Sequence, residues 1–531
     1  MRKSNLILLG LVILSSISMV SLREIWDDDT SHVRDTSDWD NAQWKQELVR
    51  YRQDMNNKEQ EKVELSKTDL KNVRDLNKAH KQNVQSIIKK SKHAQSRLAS
   101  FLEVNSPMPD QDDPKLFFGD DVSYTTNINS IPYIGNVTIA GWSSSYWPMR
   151  NGEVSVRYPL NEKNTIGVVD PESGDYSYFY TWSESVFRYT QPEEHDSMFK
   201  SNYTNYVKYI DDNYSPSEKY DLLLGDYKFT LTNYLKNEGH QHSYGGDMPT
   251  WYGLCHGWAV ASVYFRRPFT SVTINNPDGI PVRFLPDDIK ALAVLFWGNA
   301  ESTTKFAGKI CEFYWPDPGW FSSAACRSLN PAAFMIVLGN QCGLWGKNLI
   351  YDPDADPEIW NFPLKSYEFK YYNPLTNEFF MDAASAKVNL TSLLNSGDEF
   401  LTGLSSSSAT NATSALGVFM RVTKTQVTDI TKLHHNDTTA DDDDFTDEFD
   451  AVVTLDANDN MIGGDWKFKT HPNFLWWYDE KDGVKGINDE TLTSFSTDKT
   501  YLDTIMDKVR ESSNRGQPLL AWINYLVNNS S

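Results

Sequence analysis

The residues best suited to covalent chemistry lie in WYGLCHGWAVAS, 251 to 262, where Cys255 sits among small residues directly before His256. A thiol attacks a carbonyl carbon as thiolate, and a helix N-terminus, a cation or an imidazole lowers its pKa. Gly253 permits a tight entry turn, and Ala259, Val260, Ala261 and Val263 continue as small apolar residues, so Cys255 is predicted in the first turn of a helix. There the dipole favours the anion, and backbone N–H groups without helical partners can receive an oxyanion. The alternative is a buried cysteine acting as a small hydrophobe. His256 is poorly placed as the base, because adjacent helical residues point about 100° apart. Trp251, Trp147 and Tyr252 are candidates for an acyl groove, with the Trp251 indole N–H a donor near the oxyanion; core packing is the alternative for each.

Other histidines and carboxylates extend the candidate set. His240 and His242 in EGHQHSYGG lie upstream, and His471 in THPNFLW lies downstream. The H-x-H pair reads either as a polar loop or as a catalytic or metal pair, and two ligands do not complete a zinc site. Asp352 and Asp354 in IYDPDADPE are carboxylates that could orient an imidazole, although a carboxylate is a weak base towards a thiol, by about four units on reference values. The run DDDDFTDEFD, beginning at Asp441, Asp442, Asp443 and Asp444, reads as a solvated acidic loop or as hard oxygen ligands for calcium, at a spacing unlike an EF-hand. The four cysteines are Cys255, Cys311, Cys326 and Cys342. If Cys255 stays reduced, at most one bridge forms, and Cys311 to Cys326 closes the shortest loop.

The elements that must position these groups are mixed. PDDIKALAVLFWGNA has an acidic start and apolar interior, predicting a capped helix, while AAFMIVLGNQCG and KSYEFKYY predict strands. AVVTLDANDNMIGGDWKF predicts a hairpin turning at Asp456 to Asn460, and a last helix is expected from about Asp498 to Arg515. The order favours α+β. Residues 1–22 carry two basic residues, an apolar run and then small residues, the pattern of a secretory signal peptide, with a signal anchor the alternative. Residues 23–110 are largely charged helix formers ending in the Pro- and Asp-containing stretch NSPMPDQDDPK. They read as an amphipathic helix packed on the protein, a removable pro-segment or an oligomerising coil. Residues 120–480 would hold the catalytic domain and 481–531 a helical tail.

At 531 residues the chain exceeds one growing core, and its net charge of −22 makes nucleic acid an unsuitable partner. A secreted, extracellular chain allows disulfides, and sequons such as Asn136, Asn389 and Asn411 permit glycosylation.

A resemblance runs beyond the cysteine segment. WSSSYWPMRNGEVSVRYP, SPSEKYDLLLGD, YGLCHGWAVAS, FLPDDIKALAVLFW, ACRSLNPAAFMIVLGN, DPEIWNFPLKSYEF and GGDWKFKTHPNFLW occur in that order and together resemble the oomycete transglutaminase elicitor family, over about residues 125 to 480. EIWNFPL resembles the surface peptide by which those proteins are recognised, and departs from it at Phe362, Leu364 and Lys365. The resemblance implies a secreted, calcium-dependent protein-glutamine gamma-glutamyltransferase with a papain-like or transglutaminase-like core, which here would follow the long N-terminal helical segment read from residues 23–110. It implies protein substrates bearing Gln, amine donors, and cell-wall or surface association.

It also implies the chain order cysteine, base on a strand, then a carboxylate or amide on the next strand. The expected base position holds Met335, which accepts no proton. Three readings follow. Another histidine supplies the base, Cys255 and Asp352 act as a dyad at the helix dipole, or the fold persists without catalysis as a binding protein. A papain-like cysteine hydrolase, passing the thioester to water, is the remaining enzymatic alternative.

Overall fold

The computed structural model describes residues 36, 39–60, 112–149, 152–156, 210, 214–243, 249, 251–314, 323, 325–327, 329–398, 400–401, 411–428, 433, 442–479 and 484–530. Its strands are β1 (Ile134–Asn136), β2 (Val272–Asn275), β3 (Pro281–Phe284), β4 (Thr304–Gly308), β5 (Ile350–Asp352), β6 (Phe362–Asn373), β7 (Glu378–Phe380), β8 (Val388–Asn389), β9 (Ser414–Thr425), β10 (Asp444–Leu455), β11 (Met461–Trp466) and β12 (Phe474–Tyr478). One curled antiparallel sheet runs β11-β10-β9-β6-β5-β12-β4, with β1 and β7 on β6 and β8 on β9, while β2 and β3 form a separate hairpin.

Alternation gives the sheet two faces. Leu416, Val418, Met420 and Val422 of β9 point into the main core with Tyr367, Phe369 and Tyr371 of β6, whereas Phe419 and Tyr372 point the other way. Leu364 pairs with Lys424 but Ser366 pairs with Thr423, so Lys365 is an extra residue in β6. That bulge changes the parity, and it is why Phe362 and Leu364 share the core face with Tyr367. The β10–β11 hairpin turns at Asp456, whose carboxylate accepts from the Asn458 and Asn460 N–H groups.

Helices cover both faces. On the core face, helix Cys255–Tyr264 packs beside helix Pro286–Asn299, which begins with Pro286, Asp287 and Asp288. Gly257 makes the approach close: a Cβ there would stand 2.5 Å from the Val294 carbonyl oxygen. Helix Pro216–Leu223 joins them through Lys219, whose ammonium lies 2.5 Å from Asp288 with both side chains fully buried. On the other face lies a helix over residues 41–60, capped by Asp40 donating to and accepting from Gln43. Its Trp44, Leu48, Tyr51 and Met55 pack on Tyr372, Phe379, Phe419 and Phe468. Arg52 bridges to Asp450 at 2.6 Å, and Lys370 lies 4.6 Å over the Trp44 ring. The rest of the expected N-terminal helical segment, and the signal peptide, lie outside the described residues.

The chain ends in helices Lys499–Ser513, capped by Asp498, and Leu520–Ser530. Trp522, Ile523 and Leu526 enter the main core, and Arg510 pairs with buried Asp226 at 2.8 Å. Helices Lys499–Ser513 and Leu520–Ser530 are therefore packed into the core that carries the cysteine helix. Among the described residues no helix is long and apolar enough to cross a membrane.

One expected strand is a helix. Asn330 caps Ala332, Pro331 takes the first turn, and Pro331–Leu338 continues into a π-helical turn at Gly339–Leu344. Every residue of Pro331–Leu338 is buried, so its unbroken apolarity carries neither the 2.0 nor the 3.6 period.

Candidate functional site around Cys255

Cys255 is the first residue of its helix. The entry is set by Gly253, where a Cβ would stand 2.6 Å from the Tyr146 carbonyl oxygen, and by Leu254 N–H donating to that same oxygen at 2.6 Å. Leu254 supplies no side-chain cap, and the His256 N–H of the first turn donates to the sulfur.

Three strand ends meet this helix start. Tyr351 pairs with Phe362, and the next step of that antiparallel register places Asp352, the last residue of β5, beside Asn361. On the other side Asp352 pairs with Phe474, so Asn473 also stands at this edge. The Asn361 side-chain amide donates to Cys255 Sγ at 3.4 Å, and Sγ donates to the Ile359 carbonyl oxygen at 3.7 Å. Trp476 Nε1 donates to Asn361 Oδ1 at 2.7 Å. Asn473 is a clamp: its NH2 donates to Asp352 Oδ2 at 3.2 Å and to the Asp356 carbonyl oxygen at 3.3 Å, while its Oδ1 accepts from Cys311 N–H at 3.0 Å. Among the described residues Asp352 Oδ1 has no hydrogen-bond partner, although Asp352 is fully buried.

Burial dominates the electrostatics. It pushes the thiol up to about 11; side-chain and backbone hydrogen bonds from Asn361 and the His256 N–H pull the other way, and the Asp352 charge adds to the rise. Asp352 is itself raised well above the usual carboxylate range, by burial first and then by the charges of Asp356 and Asp354, against hydrogen bonds from the Asn473 side chain and the Asp354 N–H. The resting site thus favours a neutral thiol beside a carboxyl that is a stronger base than an exposed aspartate.

The other expected residues are placed as follows. Met335 is fully buried on helix Pro331–Leu338, whose Phe334 packs on Phe449 and Trp466, so no strand carries it to the thiol. The backbone of His240 and His242 belongs to helix Thr230–Ser243, not to a loop. His256 Nε2 is 3.1 Å from the Gly298 carbonyl oxygen, on the neighbouring helix. Trp147 is fully buried with a φ of 46°, a packed core residue, while Trp251 is half-buried against Tyr252 at 5.7 Å. Asp354 is half-buried in the loop after β5. Cys311 and Cys326 form a disulfide, and Cys255 and Cys342 are thiols.

Among the described residues the acidic run does not gather as a calcium site. Asp442 pairs with Arg267 and accepts from Ser143 N–H, Asp444 pairs with Lys365, Asp443 is exposed, and Asp441 lies outside the described residues. Among the described residues no three acidic, histidine or cysteine side chains converge as metal ligands.

His471 is stacked on Trp466 at 5.6 Å, and burial lowers its pKa from 6.5 to about 4, against hydrogen bonds to the Pro472 and Cys326 backbone. The fold thus prefers the neutral ring. Its contribution is present above the unfolded value of 6.5 and is lost as pH falls towards 4, by about 3 kcal/mol. Urea melts should show wild type losing stability between pH 7 and pH 5, and His471→Phe should flatten that slope; an unchanged slope would refute the assignment.

The chain is a mixed helix-and-sheet protein that holds a thiol at the meeting of one helix start and three strand ends. Residues 232–389 match the family model described as transglutaminase elicitor, a span that includes Cys255, Met335, Asp352 and Asn361. Among solved structures it is similar to the GP42 transglutaminase from Phytophthora sojae, with 19% identity, a TM-score of 0.46, and coverage of 76% of this chain and 98% of that one. No curated protein matches the chain.

Sequence reasoning missed Asn361, Asn473 and Trp476. A signal was present in retrospect: the same Asn-Phe pair opens both β6 and β12, the strands flanking β5.

Proposed function

We propose that the chain is a transglutaminase-like acyltransferase in which Cys255 carries the acyl group and Asp352 carries the proton. The observation that supports it is the Asn361 amide on the Cys255 sulfur at the helix start, with buried Asp352 next to Asn361 in the strand register and its charge acting on the thiol. Sγ gives its proton to Asp352 Oδ1 and attacks the carboxamide carbon of a peptide glutamine. Backbone N–H groups at the start of the cysteine helix face the developing oxyanion. The C–N bond breaks, the leaving amine takes the proton from Asp352, and ammonia departs from a thioester. A primary amine then attacks the thioester carbon and gives a proton to Asp352. The C–S bond breaks, and the proton returns to sulfur.

In this reading the core is papain-like or transglutaminase-like, and the chain is a secreted, extracellular glycoprotein acting on proteins at a cell wall or surface. A calcium requirement would be met outside the acidic run.

The test uses full-length chain with a glutamine peptide and a labelled primary amine, with and without calcium. Wild type should incorporate label at a rate that climbs from neutral to alkaline pH, and Cys255→Ala should incorporate none. Absence of label in wild type, with Cys255 inert to iodoacetamide at every pH, would leave the binding-protein reading. Peptide glutamate in place of labelled product would point to the hydrolase.

A further inference from the structure

We infer that Trp476 is a positioning residue for the thiol: its indole N–H fixes the Asn361 amide so that the NH2 end faces Cys255. This rests on the proposed role of Cys255 as nucleophile and deepens it.

A side-chain amide has two ends of nearly the same size, one donating and one accepting. An indole N–H only donates, so it selects the oxygen end. Trp476 Nε1 lies 2.7 Å from Asn361 Oδ1, which leaves the NH2 end to reach Sγ at 3.4 Å. Rotated by half a turn, the amide would set its carbonyl oxygen against sulfur and oppose thiolate formation. Both side chains are buried, so water does not compete for either contact.

The arrangement depends on register. Trp476 pairs with Ile350, Ile350 pairs with Pro363, and directly opposite residues share a face of the sheet. Trp476 therefore reaches diagonally across β5 to the residue that precedes β6. The two hydrogen bonds run in one direction, indole to amide to sulfur, and each polarises the next. Among the described residues the sulfur also meets the Ile359 carbonyl and the backbone N–H groups of His256 and Asn361, and it feels the charge of Asp352. Trp476 lies outside the matched span, and it reaches the sulfur through Asn361.

The experiment follows alkylation of Cys255 by iodoacetamide across pH in the full chain, with the modified peptide resolved by mass spectrometry from that of Cys342. Trp476→Phe, Asn361→Leu and the double variant are compared with wild type, each with its thermal melt. Trp476→Phe should shift the rate profile to higher pH by about one unit, a roughly ten-fold slower reaction at pH 8. Asn361→Leu should shift it at least as far, and the double variant no further than Asn361→Leu alone. A Trp476→Phe profile that overlays wild type, or fully additive shifts, would overturn the relay while leaving the nucleophile intact. A wild-type Cys255 that reacts at no pH would overturn both. If Trp476→Phe does not fold, an unshifted Asn361→Leu profile is itself sufficient to reject the relay.

Discussion

Asp352→Asn is expected to lower kcat/KM for amine incorporation by about a thousand-fold, within the range for removal of a general base. The substitution keeps shape and removes the proton acceptor. Its oxygen can still accept from Asn473, so the loop between β5 and β6 should hold. Stability should move the opposite way. The folded pKa of Asp352 is raised above its unfolded value, so its contribution is fully present below the unfolded value and is lost as pH rises through the folded one. At neutral pH the wild type carries that cost of a buried carboxyl and the amide does not, so the variant should melt at a higher temperature. Loss of activity with a gain in melting temperature would mark Asp352 as a group retained for chemistry. Activity within three-fold of wild type would remove it from the mechanism.

The largest effect on stability is expected from Lys219→Met. Lys219 and Asp288 form a fully buried pair at 2.5 Å, and the same carboxylate accepts from Leu285 N–H at the start of the helix beside Cys255. Removing the lysine leaves a buried carboxylate without its ion, at a cost of about 3–5 kcal/mol. Chemical denaturation should show a lowered midpoint at unchanged slope. Adding Asp288→Asn should recover much of the loss, because the carboxamide oxygen keeps the helix cap without the charge. The pair of Arg515 with Glu511 makes the contrast, since both side chains are more than half exposed and its removal should cost about 1 kcal/mol or less. If Lys219→Met cost no more than that, the pair would not hold helices Pro216–Leu223 and Pro286–Asn299 together.

What was legible in the sequence was what short-range pattern specifies. Gly253 and the small residues after Cys255 gave the helix start, the acidic onset at Pro286 gave the neighbouring helix, and Asp456 to Asn460 gave the hairpin. Met335 was placed on a strand because an eight-residue segment buried on all sides has no polar face to reveal its period. Asn361, Asn473 and Trp476 were hidden for another reason. Each works through a cross-strand neighbour, and register follows from the fold, not from any local signal. Asp352 was found as a carboxylate of interest, but its stronger basicity comes from burial, which no residue type displays.

The helix over residues 41–60 covers the sheet face turned away from the cysteine helix. Its departure would leave Cys255 covered, because the cysteine helix packs on the opposite face. It would instead bare a strip of Phe379, Phe419 and Phe468 to water, turning a dispersed molecule into an adhesive one. The aromatic strip and the thiol thereby lie on opposite sides of one sheet, so a substitution at one is expected to leave the packing around the other unchanged.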